Sequence, residues 1–92
     1  MNQTASETKD GVSFSGLVLG FSSAALHYLG EAPLDGQPTK VNLVLAKQNI
    51  DFLNLLADKT KGNLNRDEKS LLDQVLTDLR LKYVEVQKAS VP

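Results

Sequence analysis

Few side chains in this sequence have the type and spacing to do chemistry. His27 is the only histidine. Its ring could act as a general base or as a pH-sensitive group. Catalysis would also need an orienting partner and a nucleophile, and the sequence proposes neither. An enzyme would require His27, Arg80 and Tyr83 to converge on one concavity. Asp51, Asp58, Asp73 and Asp78 offer carboxylates for paired acid–base work. Asp51 and Asp58, however, share a helical side with Lys47 and Asn54, which reads as a solvated face. Lys59-Thr60-Lys61-Gly62-Asn63 sets a glycine and basic groups beside a helix start and so invites a phosphate. It lacks the preceding strand and the glycine spacing of a P-loop, and helix termination accounts for Lys59, Lys61 and Gly62. Cysteine is absent, which excludes thiol catalysis, disulfides and thiolate metal sites. No catalytic residue, metal ligand or cofactor is therefore predicted.

The remaining pattern of interest is steric. Gly16, Gly20, Ser23 and His27 are spaced four, three and four apart. On a helix they line one narrow stripe, while Phe14, Leu17, Val18, Phe21, Ala25, Leu26, Tyr28 and Leu29 cover much of the rest. Small residues in a stripe permit close backbone approach, which suggests a helix–helix contact, as across a homodimer. The same residues would equally serve as the solvent side of the helix.

The elements that position these residues are three helices. Helix 1 is expected over about 13–30, capped by Ser13 or Ser15 and stopped at Gly30. Pro33, Asp35-Gly36 and Pro38 make the following segment a turn or short loop. Helix 2 is expected over about 42–61, from the Asn42 cap to Gly62. At 100° per residue, Leu45, Ala46, Ile50, Phe52, Leu53, Leu56 and Ala57 form one broad apolar arc, with Val44 and Leu55 outside it. Helix 3, about 66–87, opens on Asn65 as cap with Glu68 three residues on, the spacing of a capping box. Leu71, Leu72, Val75, Leu76, Leu79, Tyr83 and Val86 recur on one face, a helical period. Asp78 and Lys82 are spaced for an i,i+4 ion pair. Leu81 and Val84 fall off the core face and join the stripe as candidate interface residues.

Composition bounds the rest. The chain has 92 residues, room for one domain. A domain of this size buries about 60–65% of its unfolded surface, a thin margin. Hydrophobic residues are 41% and aromatics 5%, so the core must be aliphatic, which suits helix packing. Ten basic and eleven acidic residues leave a net charge of −1, arguing against a nucleic-acid partner. Residues 11–30 carry no formal charge with His27 neutral, but four glycines and four serines dilute them. A membrane span is therefore not expected. Glu7 and Asp10 beside Lys9 make a poor signal peptide. Residues 1–11 read as a disordered tail, 12–88 as one helical domain and 89–92 as a frayed end.

With these elements placed, a resemblance becomes visible. Phe14-Ser15, Leu17-Val18-Leu19, Ser22-Ser23-Ala24-Ala25-Leu26, Leu45-Ala46-Lys47-Gln48 and Ile50-Asp51 follow in order. The most specific stretches are Lys59-Thr60-Lys61-Gly62-Asn63-Leu64 and Asp78-Leu79-Arg80 with Tyr83-Val84. From Val12 to Val86 the chain resembles the bacterial proteins catalogued as domain of unknown function 1844. At Asn65 it departs from the usual threonine followed by proline, and asparagine caps equally well. The resemblance implies a short bacterial cytoplasmic helical protein and carries no activity, cofactor or catalytic residue. It also marks Asp78, Arg80 and Tyr83 as a candidate structural polar contact.

The expected protein is thus all-α, a three-helix arrangement with helix 1 packed on an antiparallel hairpin. Its apolar surface is wide for its size, which points to a non-enzymatic interaction protein forming a homo-oligomer, a homodimer or higher. An unidentified protein partner would use the same surface. The alternative is a small-molecule or acyl-chain binder with an apolar pocket between helix 1 and the hairpin.

Overall fold

The computed structural model describes residues 12–31 and 40–90. The predicted disordered tail, the turn segment around Pro33 and Pro38, and the last two residues lie outside these. Three helices are present: α1 (Phe14–Tyr28), α2 (Leu43–Lys59) and α3 (Arg66–Ser90). Among the described residues the fold is the expected all-α three-helix arrangement.

Each boundary has a local cause. At the start of α1 the Ser13 hydroxyl accepts from Gly16 N–H at 2.9 Å, satisfying one of the orphan donors of the first turn. Its other end closes as a Schellman motif: Glu31 N–H donates to Leu26 O at 2.9 Å and Gly30 N–H to His27 O at 3.0 Å. Gly30 supplies the φ of 84° that this closure needs. Asn42 caps α2 through Leu45 N–H at 3.0 Å. Lys59 is the last helical residue, and Asn63 N–H donates to Thr60 O at 2.8 Å to close the turn that follows. Gly62 sits third in that turn with φ 83°, where a side chain would be strained. The capping box forms in full. Glu68 N–H donates to Asn65 Oδ1 at 2.8 Å, and Asn65 N–H donates to Glu68 Oε1 at 3.0 Å.

The chain runs up, down and up. Asn42 N–H donates to Tyr28 O at 2.7 Å, so α2 begins where α1 ends and the two run antiparallel. Lys82 Nζ lies 3.4 Å from Glu31 Oε2, setting the later half of α3 beside the end of α1. The core takes Val18, Ala25 and Leu29 from the α1 segment, Ala46, Ile50 and Leu53 from α2, and Leu72, Leu76 and Leu79 from α3. A fully buried leucine contributes about 2 kcal/mol relative to remaining in water. These nine aliphatic residues therefore dominate what holds the helices together.

Two expectations are corrected. First, α3 continues to Ser90, whose hydroxyl donates to Val86 O at 2.9 Å, so 89 and 90 are helical rather than frayed. Second, Lys82 does not pair with Asp78. It leans between Glu31 and Glu85, 3.4 Å from each, because the end of α1 offers a carboxylate on that side. The i,i+4 pairs that form are Lys47–Asp51 and Lys69–Asp73, each at 2.8 Å. Phe52, on the predicted α2 arc, is 41% exposed and lies at its rim.

Candidate functional site

The stripe on α1 points outward. Gly16, Gly20 and Ser23 are exposed, and His27 at its end is half-buried. A Cβ built on Gly20 would meet nothing within 4 Å, and one on Gly16 only the Ser13 hydroxyl at 3.1 Å. Among the described residues, then, no second helix approaches the stripe at Gly16 or Gly20. Leu17 and Leu19 flank it on opposite sides of the helix and are 46% and 49% exposed.

On the Leu17 side the apolar surface continues onto α2. The rings of Phe21 and Phe52 lie with centroids 5.3 Å apart, inclined by 43°. Leu17 is one turn before Phe21 on α1, and Leu55 is one turn after Phe52 on α2. In an antiparallel pair both steps lead in the same direction from the aromatic contact. Leu17 and Leu55, both exposed, therefore extend away from the Phe21–Phe52 contact in the same direction along the two helices. Leu55, an off-face apolar residue of α2, lies one turn from Phe52 and is 51% exposed. The i,i+4 spacing of Leu17 and Phe21 and the i,i+3 spacing of Phe52 and Leu55 are the signals that pair these residues. They become informative only once the antiparallel register is known.

The other sequence-nominated residues go elsewhere. Leu81 and Val84 are exposed off the core face of α3, so the nominated interface divides into four residues on α1 and two on α3. Arg80 reaches across to α2 and donates to Asn54 Oδ1. Tyr83, half-buried, lines a shallow groove with Leu43, Lys47 and Asp51 of α2. Asp78 is exposed and makes no ion pair among the described residues. The suggested Asp78–Arg80–Tyr83 contact is in fact a tie between α3 and α2 made by Arg80. His27 sits edge-on to Tyr28 at 5.2 Å, its Nδ1 buried without a hydrogen-bond partner among the described residues. Among the described residues no hydrogen bond joins His27, Arg80 and Tyr83. No three His, Cys, Asp or Glu residues are grouped to hold a metal ion among the described residues.

Two further features were not legible beforehand. Glu68 is 3% exposed, and its second carboxylate oxygen, Oε2, has no hydrogen-bond partner among the described residues. A groove of about 490 Å³ lies at the turn end of the α2–α3 hairpin, between Asn54, Ala57 and Asp58 on one wall and Lys69, Leu72 and Asp73 on the other. Val18, Leu29, Leu53, Leu72 and Leu79 are fully buried in the core between α1 and the hairpin, the region where the alternative expectation put an apolar pocket.

No helix among the described residues is long and apolar enough to cross a membrane. No curated protein and no solved structure matches the chain. A family model, described as domain of unknown function (DUF1844), matches residues 11–85. That span takes in all of α1 and α2 and most of α3, the capped hairpin turn included, and on it the chain belongs to the DUF1844 family.

Proposed function

We propose that the protein is a non-enzymatic helical interaction protein of the bacterial cytoplasm that associates with a second copy of itself. The observation that supports this is the exposed apolar surface that Leu17 and Leu55 extend from the Phe21–Phe52 contact, beside the uncharged stripe of α1. Contiguous exposed apolar surface on a small protein marks an association site more often than scattered single residues do. A small-residue stripe lets two helices approach closely, and a symmetric pair buries the same patch twice. With His27 neutral, α1 carries no charge that would favour a highly charged partner.

Size-exclusion chromatography with light scattering tests this reading. The protein is expected to run as a dimer or larger species at about 100 µM, a concentration that detects micromolar association. Leu17→Glu combined with Leu55→Glu should return a folded monomer, since both side chains are exposed in the single chain. A monodisperse monomer of the unaltered protein at that concentration removes the proposal.

A further inference from the structure

The groove at the turn end of the hairpin lies between α2 and α3 and is built unlike the α1 face. Its floor is apolar: Leu72 is buried, and Ala57 and Leu64 are half-buried beside it. Its rim carries separated charges of both signs. Asp58 stands on the α2 wall and Lys61 in the turn, and neither makes an ion pair among the described residues. On the α3 wall Lys69 and Asp73 neutralise each other at 2.8 Å. The hydrogen bonds of the turn use the N–H groups of Thr60 and Asn63, leaving those of Lys61 and Gly62 outside them. Gly62 also presents no side chain over the opening, and nothing lies within 4 Å of where its Cβ would be.

Helix termination explains why Lys61 and Gly62 are present. It does not explain an open volume of about 490 Å³, which falls within the range of small-ligand sites, about 300–1,000 Å³. A lone anion is disfavoured by Asp58 and a lone cation by Lys61, the Lys69–Asp73 pair being neutral as a unit. An acyl chain would leave the charged rim unused. A ligand that satisfies both rim charges and the floor has an anionic end, a cationic end and an aliphatic body between them.

We propose that this groove binds a short aliphatic peptide with free termini. The carboxylate lies at the Lys61 ammonium and the Gly62 N–H, the ammonium at Asp58, and the side chains over Ala57, Leu64 and Leu72. The volume suits two or three residues better than a single amino acid.

Titration of the full chain with dileucine, followed by two-dimensional amide NMR, tests the assignment. Saturable shifts are expected at Gly62, Leu64 and Leu72. Acetyl-dileucine, which lacks the ammonium, and dileucine amide, which lacks the carboxylate, should each bind about tenfold more weakly, the loss of one charge-assisted contact. Lys61→Ala should weaken dileucine and acetyl-dileucine and leave the amide unchanged. Asp58→Asn should weaken dileucine and the amide and leave the acetylated peptide unchanged. Both substitutions are at exposed positions, so the variants keep the fold, which their amide spectra verify. No saturation by about 10 mM, equal binding of the capped and free peptides, or shifts centred on the outer face of α1 would overturn it. Light scattering on the same samples reads self-association separately.

Discussion

Single residues show how differently the same amino acid is used along this chain. Gly20 and Gly62 are both exposed glycines with nothing within 4 Å of where a Cβ would stand, yet their backbones differ. Gly20 is in the middle of α1, where glycine costs about 0.5–1 kcal/mol relative to alanine through lost backbone entropy. Gly62 holds φ 83°, a region that costs an L-residue about 1–2 kcal/mol. Gly20→Ala is therefore expected to stabilise the chain and Gly62→Ala to destabilise it, each by about 1 kcal/mol in urea unfolding at low protein concentration. Equal effects of the two substitutions would contradict the turn geometry. Leucine divides the same way: Leu53 and Leu55 are two positions apart, and one is fully buried while the other is 51% exposed.

Among the elements, α3 depends most on its first turn. Its mean composition is polar, and its opening is held by the reciprocal Asn65–Glu68 bonds with Asp67 adding negative charge at the positive end of the dipole. Asn65→Ala should cost about 1 kcal/mol, read as a lowered urea midpoint with an unchanged m-value. Replacement by Ser, which keeps a capping oxygen, should recover most of that loss. Failure of Ser to recover it would show that tertiary contacts rather than the cap define the start of α3. The capping box was legible in the sequence because it depends on residues three apart. The burial of Glu68 was not, since it depends on which helices cover the first turn of α3. The same distinction explains Lys82: its i,i+4 neighbour could be read from spacing, but Glu31 could not.

Across the molecule as a unit, the Lys82–Glu31 pair ties α3 to the end of α1. The Glu31 carboxylate holds the Lys82 ammonium above its ordinary value of 10.5, with Glu85 adding to the effect. A lysine whose value is raised by folding adds stability that is complete below 10.5 and fades as pH rises through the folded value. Lys82→Met should therefore lower the urea midpoint near neutral pH, with the difference from the unaltered protein shrinking above 10.5. High salt should shrink the same difference, since the pair is only partly shielded from solvent. A difference that grows with pH would rule out the Lys82–Glu31 pair as its source.

Local sequence suffices for the three helices, their caps and most of the core. Each of these follows from interactions within one turn or one helical face, where residues three and four apart must meet. The Asn42, Asn65, Gly30 and Gly62 boundaries and the Leu72–Leu76–Leu79 face are of this kind. Where the surfaces lie depends instead on the packed fold. The antiparallel register of α1 and α2 set Leu17 and Leu55 in the same direction from the Phe21–Phe52 contact. The packing of α1 onto the hairpin left the glycine stripe facing outward. The approach of α2 to α3 put Arg80 on Asn54 and opened a groove beside Lys61. Such features join residues far apart in the chain, and their positions depend on how helices rotate against one another, which no local spacing encodes.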